Sequence, residues 1–298
     1  MIRPSGVDGR GFVRTDNPRD RLNQKDYQML RNALLLTFAL ALPAVTTAQT
    51  AKSSSGGGSA DLAKKLSNPI ADLISVPFQF NYDDGYGDGS GNKGFVNIQP
   101  VIPISISPDW NVISRTIIPL VDQDDIRPGS GSQSGVGNII QSFFFSPKKP
   151  TANGIVWGVG PVFQLPTASD DISPDQWGIG PTGVVLKQKG PWTVGGLANH
   201  IWSVSGNSEN GKVSATFLQP FLAYTTPKAT TFTLDTESTY DWEAEEWSVP
   251  INFVVSQVVK LGKQPVQLGL GARYWADAPD GGPDGWGARF QVTFLFPK

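Results

Sequence analysis

From Ser75 to the C-terminus, apolar and polar side chains alternate in runs separated by turn residues, and this period of two constrains the fold more than any other feature. Val76, Phe78, Phe80 and Tyr82 alternate with Ser75, Pro77, Gln79 and Asn81. Near the other end, Ala288, Phe290, Val292, Phe294 and Phe296 alternate with Gly287, Arg289, Gln291 and Thr293. In an extended chain successive side chains point to opposite faces, so each run is a strand with one apolar face. Twelve runs are predicted, at about 74–82, 95–106, 110–120, 136–145, 154–165, 177–187, 192–205, 212–225, 230–242, 247–260, 265–276 and 286–296. Each is long enough for a tilted membrane strand of about 9–11 residues, and twelve is even, as in bacterial single-chain barrels. The predicted fold is all-β: an antiparallel transmembrane β-barrel of about 12 strands over 73–298.

The connections alternate as well. DDGYGDGSGNKG, VDQDDIRPGSGSQSG, PTASDDISPDQ, GNSENG and DAPDGGPDG are the long class, with EAEE as a short exception. Between them lie SPD, SPKKPTAN, KQKGP, TTPKAT and LGKQP. Outer-membrane barrels carry long extracellular loops and short periplasmic turns. Charge sorts by the same parity: acidic residues such as Asp83, Asp122, Asp170 and Asp280 fall in the long class, and Lys148, Lys187, Lys228 and Lys263 in the short class. Tryptophans near strand ends, Trp275 among them, suit aromatic girdles at two interfaces.

The N-terminal part is different. Residues 29–48 read MLRNALLLTFALALPAVTTA, with Arg31 before an apolar core and small residues at a cleavage site after Ala48. This is the pattern of a secretory signal peptide. Residues 1–28 are polar, and the two methionines are Met1 and Met29, which marks 1–28 as an over-extended N-terminus. Residues 49–72 combine the flexible linker SSSGGGS with a short helix over Ala60–Leu66, capped by Ser59, forming a short periplasmic segment.

Composition narrows the chemistry. There is no Cys and one His, so disulfides, thiolate zinc sites and histidine-cluster metal sites are excluded, and no metal or cofactor is expected. A net charge of −2 gives no basic field for nucleic acid. His200 has Gly196, Ala198, Trp202 and Val204 on its own strand face, which offers no nucleophilic serine there. Trp157-Gly-Val-Gly-Pro161 recurs as Trp177-Gly-Ile-Gly-Pro181, and Pro77, Pro100, Pro103, Pro119, Pro220 and Pro250 also fall inside runs. Proline removes a ladder donor, so these positions mark bulges, breaks or a lateral opening.

Several stretches together resemble a known family: NPIADLISVPFQFNY, NIQPVIPISISPDWNVISRTIIPL, WGVGPVFQLPTASDD, FLQPFLAYTTPKATTFTLDTESTYDWE and LGLGARYWADAPDGGPDGWGARFQVTFLFPK. They are similar to the outer-membrane transporter family named after the meta-pathway of phenol degradation, over roughly Asn68–Lys298. The resemblance implies an outer-membrane barrel in a Gram-negative bacterium that passes small solutes, aromatic or hydrophobic ones among them. The last strand also resembles the signal read by the barrel-assembly machinery, with Pro297 and Lys298 following Phe296.

If the apolar faces meet lipid, Asp235, Glu237, Arg115, Arg273, Arg289, Gln99, Gln164 and Gln291 point into the lumen as pore-lining candidates. Asp235 and Glu237 sit on one strand and project in parallel, which suits a charge network better than a pair of carboxylates flanking a sugar. The expectation is an outer-membrane channel for passive diffusion and not an enzyme. Its expected partners are outer-membrane lipid and lipopolysaccharide, the assembly machinery and a small-molecule solute. The alternatives are a structural or adhesive barrel, or a secreted β-sandwich acting as a lectin or hydrolase.

Overall fold

A computed structural model describes residues 58–170, 172–173, 176–206 and 212–297. The stretches expected to be an over-extended N-terminus (1–28) and a signal peptide (29–48) lie outside the described residues, as does most of the SSSGGGS stretch.

One helix, α1 (Ser59–Leu66), precedes the strands β1 (Ile74–Tyr86), β2 (Gly91–Ile98), β3 (Val101–Ser105), β4 (Trp110–Asp124) and β5 (Ser132–Val136). Then follow β6 (Ile139–Pro147), β7 (Ile155–Leu165), β8 (Gln176–Lys189), β9 (Trp192–Gly206) and β10 (Ser214–Thr225). The last five are β11 (Thr230–Thr236), β12 (Ser238–Asp241), β13 (Glu246–Leu261), β14 (Gln264–Asp277) and β15 (Gly285–Phe296). Three pairs, β2/β3, β5/β6 and β11/β12, are halves of single crossings, so the fifteen segments make twelve spanning strands, as the sequence predicts. Every neighbour pairs antiparallel, and β15 returns to β1. Closure leaves no strand edge, the condition for a sheet to cross lipid, and it rules out the β-sandwich alternative. Paired residues run from Ile74↔Phe296 to Tyr82↔Ala288 along the closing seam, with ring pairs Phe78–Phe294 and Phe80–Phe290 on its outer face.

The breaks have identifiable causes. Pro100 separates β2 from β3, yet Phe78↔Ile98 and Ser75↔Val101 keep one register across it. A donor is missing there, and no residue is inserted. At β5/β6 the register does change, from Leu120↔Val136 to Ile117↔Ile140, so Gly137–Asn138 form a bulge. The Gly137 N–H donates to the Pro119 carbonyl, and a Cβ on Gly137 would come within 2.7 Å of Pro119 Cγ. Glu237 separates β11 from β12 with the register again preserved on both sides. That register sets Pro220 opposite Thr236 and Pro250 opposite Glu237, so the strand is short of donors from both neighbours.

The two tryptophan-glycine-proline motifs pair with each other, Pro161 opposite Pro181. At their height the β6–β7 and β8–β9 ladders lapse, between Ser142↔Val162 and Phe145↔Val159 and between Ile179↔Trp202 and Thr182↔Asn199. A Cβ on Gly160 would collide with the Phe143 carbonyl, and one on Gly180 with the His200 carbonyl.

The first long loop, expected over 83–94, shrinks to 87–90 because β1 and β2 extend into it. The helix begins one residue earlier than expected and is capped by Gly58, not Ser59; Asp61 accepts the Gly58 N–H at 3.2 Å.

Candidate functional site

Inward and outward faces follow parity. Phe80, Tyr82, Ile102, Ile104, Val194, Leu234 and Phe253 are exposed on the outside, whereas Gln79, Asn81, Asn252, Arg289 and Thr293 are buried inside. Tryptophans 110, 177, 192, 202, 242, 247 and 286 are exposed as girdle residues should be. Trp157 is half-buried, edge-on to Trp110, and Trp275 turns inward. The latter lies two residues after Arg273, so it shares the inward face, and its indole N–H donates to Asp83 Oδ1 at 3.0 Å.

The interior is two-faced. One wall, on β1, β11, β13, β14 and β15, is charged. Glu237, in the β11/β12 break, accepts from Arg289 Nη2 at 2.6 Å and Nη1 at 3.1 Å, and from Arg273 Nη1 at 3.4 Å. The break frees its side chain to reach both guanidinium groups. Arg289 Nε also donates to Asn81 Oδ1 at 2.8 Å, and Arg273 Nε lies 3.1 Å from Asp83 Oδ1. The Arg273 guanidinium sits 4.8 Å from the Trp275 ring centroid and 5.7 Å from that of Phe95. Asp235 accepts from Asn252 Nδ2 at 2.7 Å. The Gln79 amide lies within hydrogen-bond reach of Gln99, Glu237 and Arg289.

The facing wall is apolar. Ile113 on β4, Phe144 on β6, Val184 and Leu186 on β8 and Leu197 on β9 point inward and pack around Ile70 of the N-terminal segment. The faces of 113–115 and 143–145 are ambiguous in sequence; here Ile113, Phe144 and Arg115 are the inward members.

The N-terminal segment fills the short-turn end. Leu62 and Ala63 pack with Leu73, Ala229, Val258 and Leu295. Lys64 Nζ donates to the Gly190 carbonyl at 2.8 Å, and Gln188 Nε2 to the Lys64 carbonyl at 2.9 Å. Between this floor and the charge layer lies a cavity of about 210 Å³.

Of the eight residues singled out from sequence, Asp235, Glu237, Arg115, Arg289, Gln99 and Gln291 line this cavity. Arg273 joins the network above it. Gln164 faces inward elsewhere, donating to the Gln176 carbonyl at 3.2 Å. The sequence reading misses Asp83, which it assigns to a loop. Asp83 is fully buried beside Arg273, and the signal for it was the continued alternation Gln79, Asn81, Asp83. His200 lies apart, its Nδ1 2.7 Å from Thr216 Oγ1 and its ring 4.1 Å from that of Trp202. Among the described residues no group of three potential metal ligands converges.

A closed twelve-stranded barrel with an apolar exterior, a polar and charged lumen wall and tryptophans at its rims has the architecture of an outer-membrane β-barrel. A solved structure agrees on the fold. An outer-membrane channel from Pseudomonas putida F1 is similar at a TM-score of 0.59 and 13% identity, covering 76% of this chain and 96% of that one. Weaker likenesses are to the outer-membrane phospholipase A of Escherichia coli (TM-score 0.44, 11% identity, 76% and 98% covered) and to an anion-selective porin from Comamonas acidovorans (0.37, 8%, 75% and 98%). No family model matches the chain, and no curated protein matches it in sequence.

Proposed function

We propose that the protein is a passive channel of the bacterial outer membrane for small solutes, closed at its periplasmic end in this conformation by residues 58–73. The observation that carries the reading is the two-faced lumen, in which a charged wall confronts an apolar one above a seated N-terminal segment. Such a passage suits solutes with one polar end and an apolar body. That agrees with the resemblance to the phenol meta-pathway transporter family, which implies small solutes, aromatic or hydrophobic ones among them. Lipid and lipopolysaccharide surround the outer face, and the strand ending at Phe296 is what the assembly machinery would recognise. Hydrolysis forms no part of the proposal.

The test is conductance in planar bilayers, native against Ala63→Asp. Ala63 is fully buried against Ala229, Val258 and Leu295. A carboxylate there has no partner and drives the helix out of its seat. The native barrel should open rarely, and A63D should conduct several-fold more often. Silence of both, in protein that still migrates as a folded barrel, removes the channel reading.

A further inference from the structure

Three inward arginines lie near the cavity, and they are not used alike. Arg273 and Arg289 are both paired with Glu237, and Arg273 also with Asp83. Arg115, on β4, makes one hydrogen bond, from Nη2 to Gln99 Oε1 at 3.0 Å, and among the described residues no carboxylate forms an ion pair with it. Guanidinium carries five donors in a planar fork, remains charged, and matches a carboxylate in bidentate fashion. Arg115 lines the cavity, so the unused part of its fork is available there. Glu237 attracts Arg115 from the same chamber, but its oxygens are engaged by Arg289 and Arg273, so a bound anion would complete the Arg115 fork.

The rest of the chamber defines what that anion carries. Phe221, Val101, Val254 and Leu73 supply apolar surface. Asp235 and Glu237, on the β11/β12 crossing, line the same chamber; Asn252 occupies one Asp235 oxygen, and Arg273 and Arg289 engage Glu237. Gln99 holds Arg115 from behind and is itself held by Gln79 at 2.7 Å, which orients the guanidinium without neutralising it. The volume of about 210 Å³ falls below the roughly 300–1,000 Å³ typical of drug-sized sites. The occupant is therefore a single ring or a short chain.

We propose that this chamber is a binding site for a small monocarboxylate with a compact apolar body, anchored by Arg115. The inference deepens the channel reading and rests on it for its biological meaning, while binding itself is measured without transport. Calorimetry on the detergent-folded barrel, with benzoate against neutral benzyl alcohol, which keeps the ring and one oxygen, decides it. Benzoate should bind at least tenfold more tightly, and Arg115→Gln should abolish that preference. A tenfold preference corresponds to about 1.4 kcal/mol. Equal affinity for the two probes in the native protein overturns the proposal, whether or not the variant folds. So does a folded R115Q barrel that keeps the preference. A barrel that conducts yet shows no preference loses the site and keeps the channel; one that binds benzoate yet never conducts keeps the site and loses the channel.

Discussion

At the residue scale, Glu237 holds the charged wall together. It is the shared acceptor of two guanidinium groups, and it stands where the strand is interrupted. Glu237→Gln leaves Arg289 and Arg273 facing each other across a neutral amide. Removing one partner of a buried pair costs about 3–5 kcal/mol, so the urea midpoint of E237Q should fall clearly below native. In bilayers its selectivity should move toward anions. Asp235→Asn, whose carboxylate meets only an Asn252 amide, should cost less. Equal midpoints for E237Q and native protein would show that the pair contributes nothing to folding. Much of this wall was legible, because parity alone sends 235, 237, 273 and 289 to one face. Asp83 was missed, since the turn-like composition of Asp83-Asp84-Gly85 masks the alternation that continues from Gln79 and Asn81, and its buried partners show it as strand. Trp275 was misjudged for a related reason: rim position and face are separate properties, and only the second follows from its spacing to Arg273.

At the element scale, glycine and proline decide where ladders lapse. Gly160 and Gly180 let β7 and β8 approach carbonyls of their outer neighbours, Phe143 and His200, more closely than any side chain permits. Gly183, three residues beyond Gly180 on β8, has room: an added Cβ would lie 3.6 Å from Val159 Cγ1, an ordinary contact. Gly160→Ala and Gly180→Ala should each lose about 1–3 kcal/mol through overpacking, read as a lower thermal transition of the refolded barrel, while Gly183→Ala should match native. Equal loss at all three sites would point to strand flexibility and not to close approach. The twelve crossings were readable from periodicity, and the prolines announced irregularity. The kind of irregularity was not readable. Pro100 gives a break in constant register and Pro119 faces a one-residue bulge, a difference set by pairing partners far along the chain. Nor did the linker-like composition of 49–72 show that 58–73 packs within the short-turn end, because that depends on Ala229, Val258 and Leu295 closing around Leu62 and Ala63.

At the scale of the whole molecule, the two ends differ in loop length, charge and filling. Helix α1, the chain entry at Ile74 and the exit at Phe296 share one end with the turns at 106–109, 148–154, 190–191, 226–229 and 262–263. The opposite end carries the acidic connections, among them 125–131 and 278–284. Net charge does not orient a barrel, since the positive-inside rule belongs to helices. What orients it is the order of insertion: short turns close hairpins on the periplasmic side, and long loops end outside. The absence of cysteine makes this directly measurable. Single cysteines replace Ser173 in a long loop and Thr151 in a short turn, and a membrane-impermeant thiol reagent is applied to intact cells. Ser173→Cys should label and Thr151→Cys should label only after the outer membrane is permeabilised. Labelling of both on intact cells would contradict a membrane-spanning barrel, and labelling of Thr151→Cys alone would place the plugged end outside.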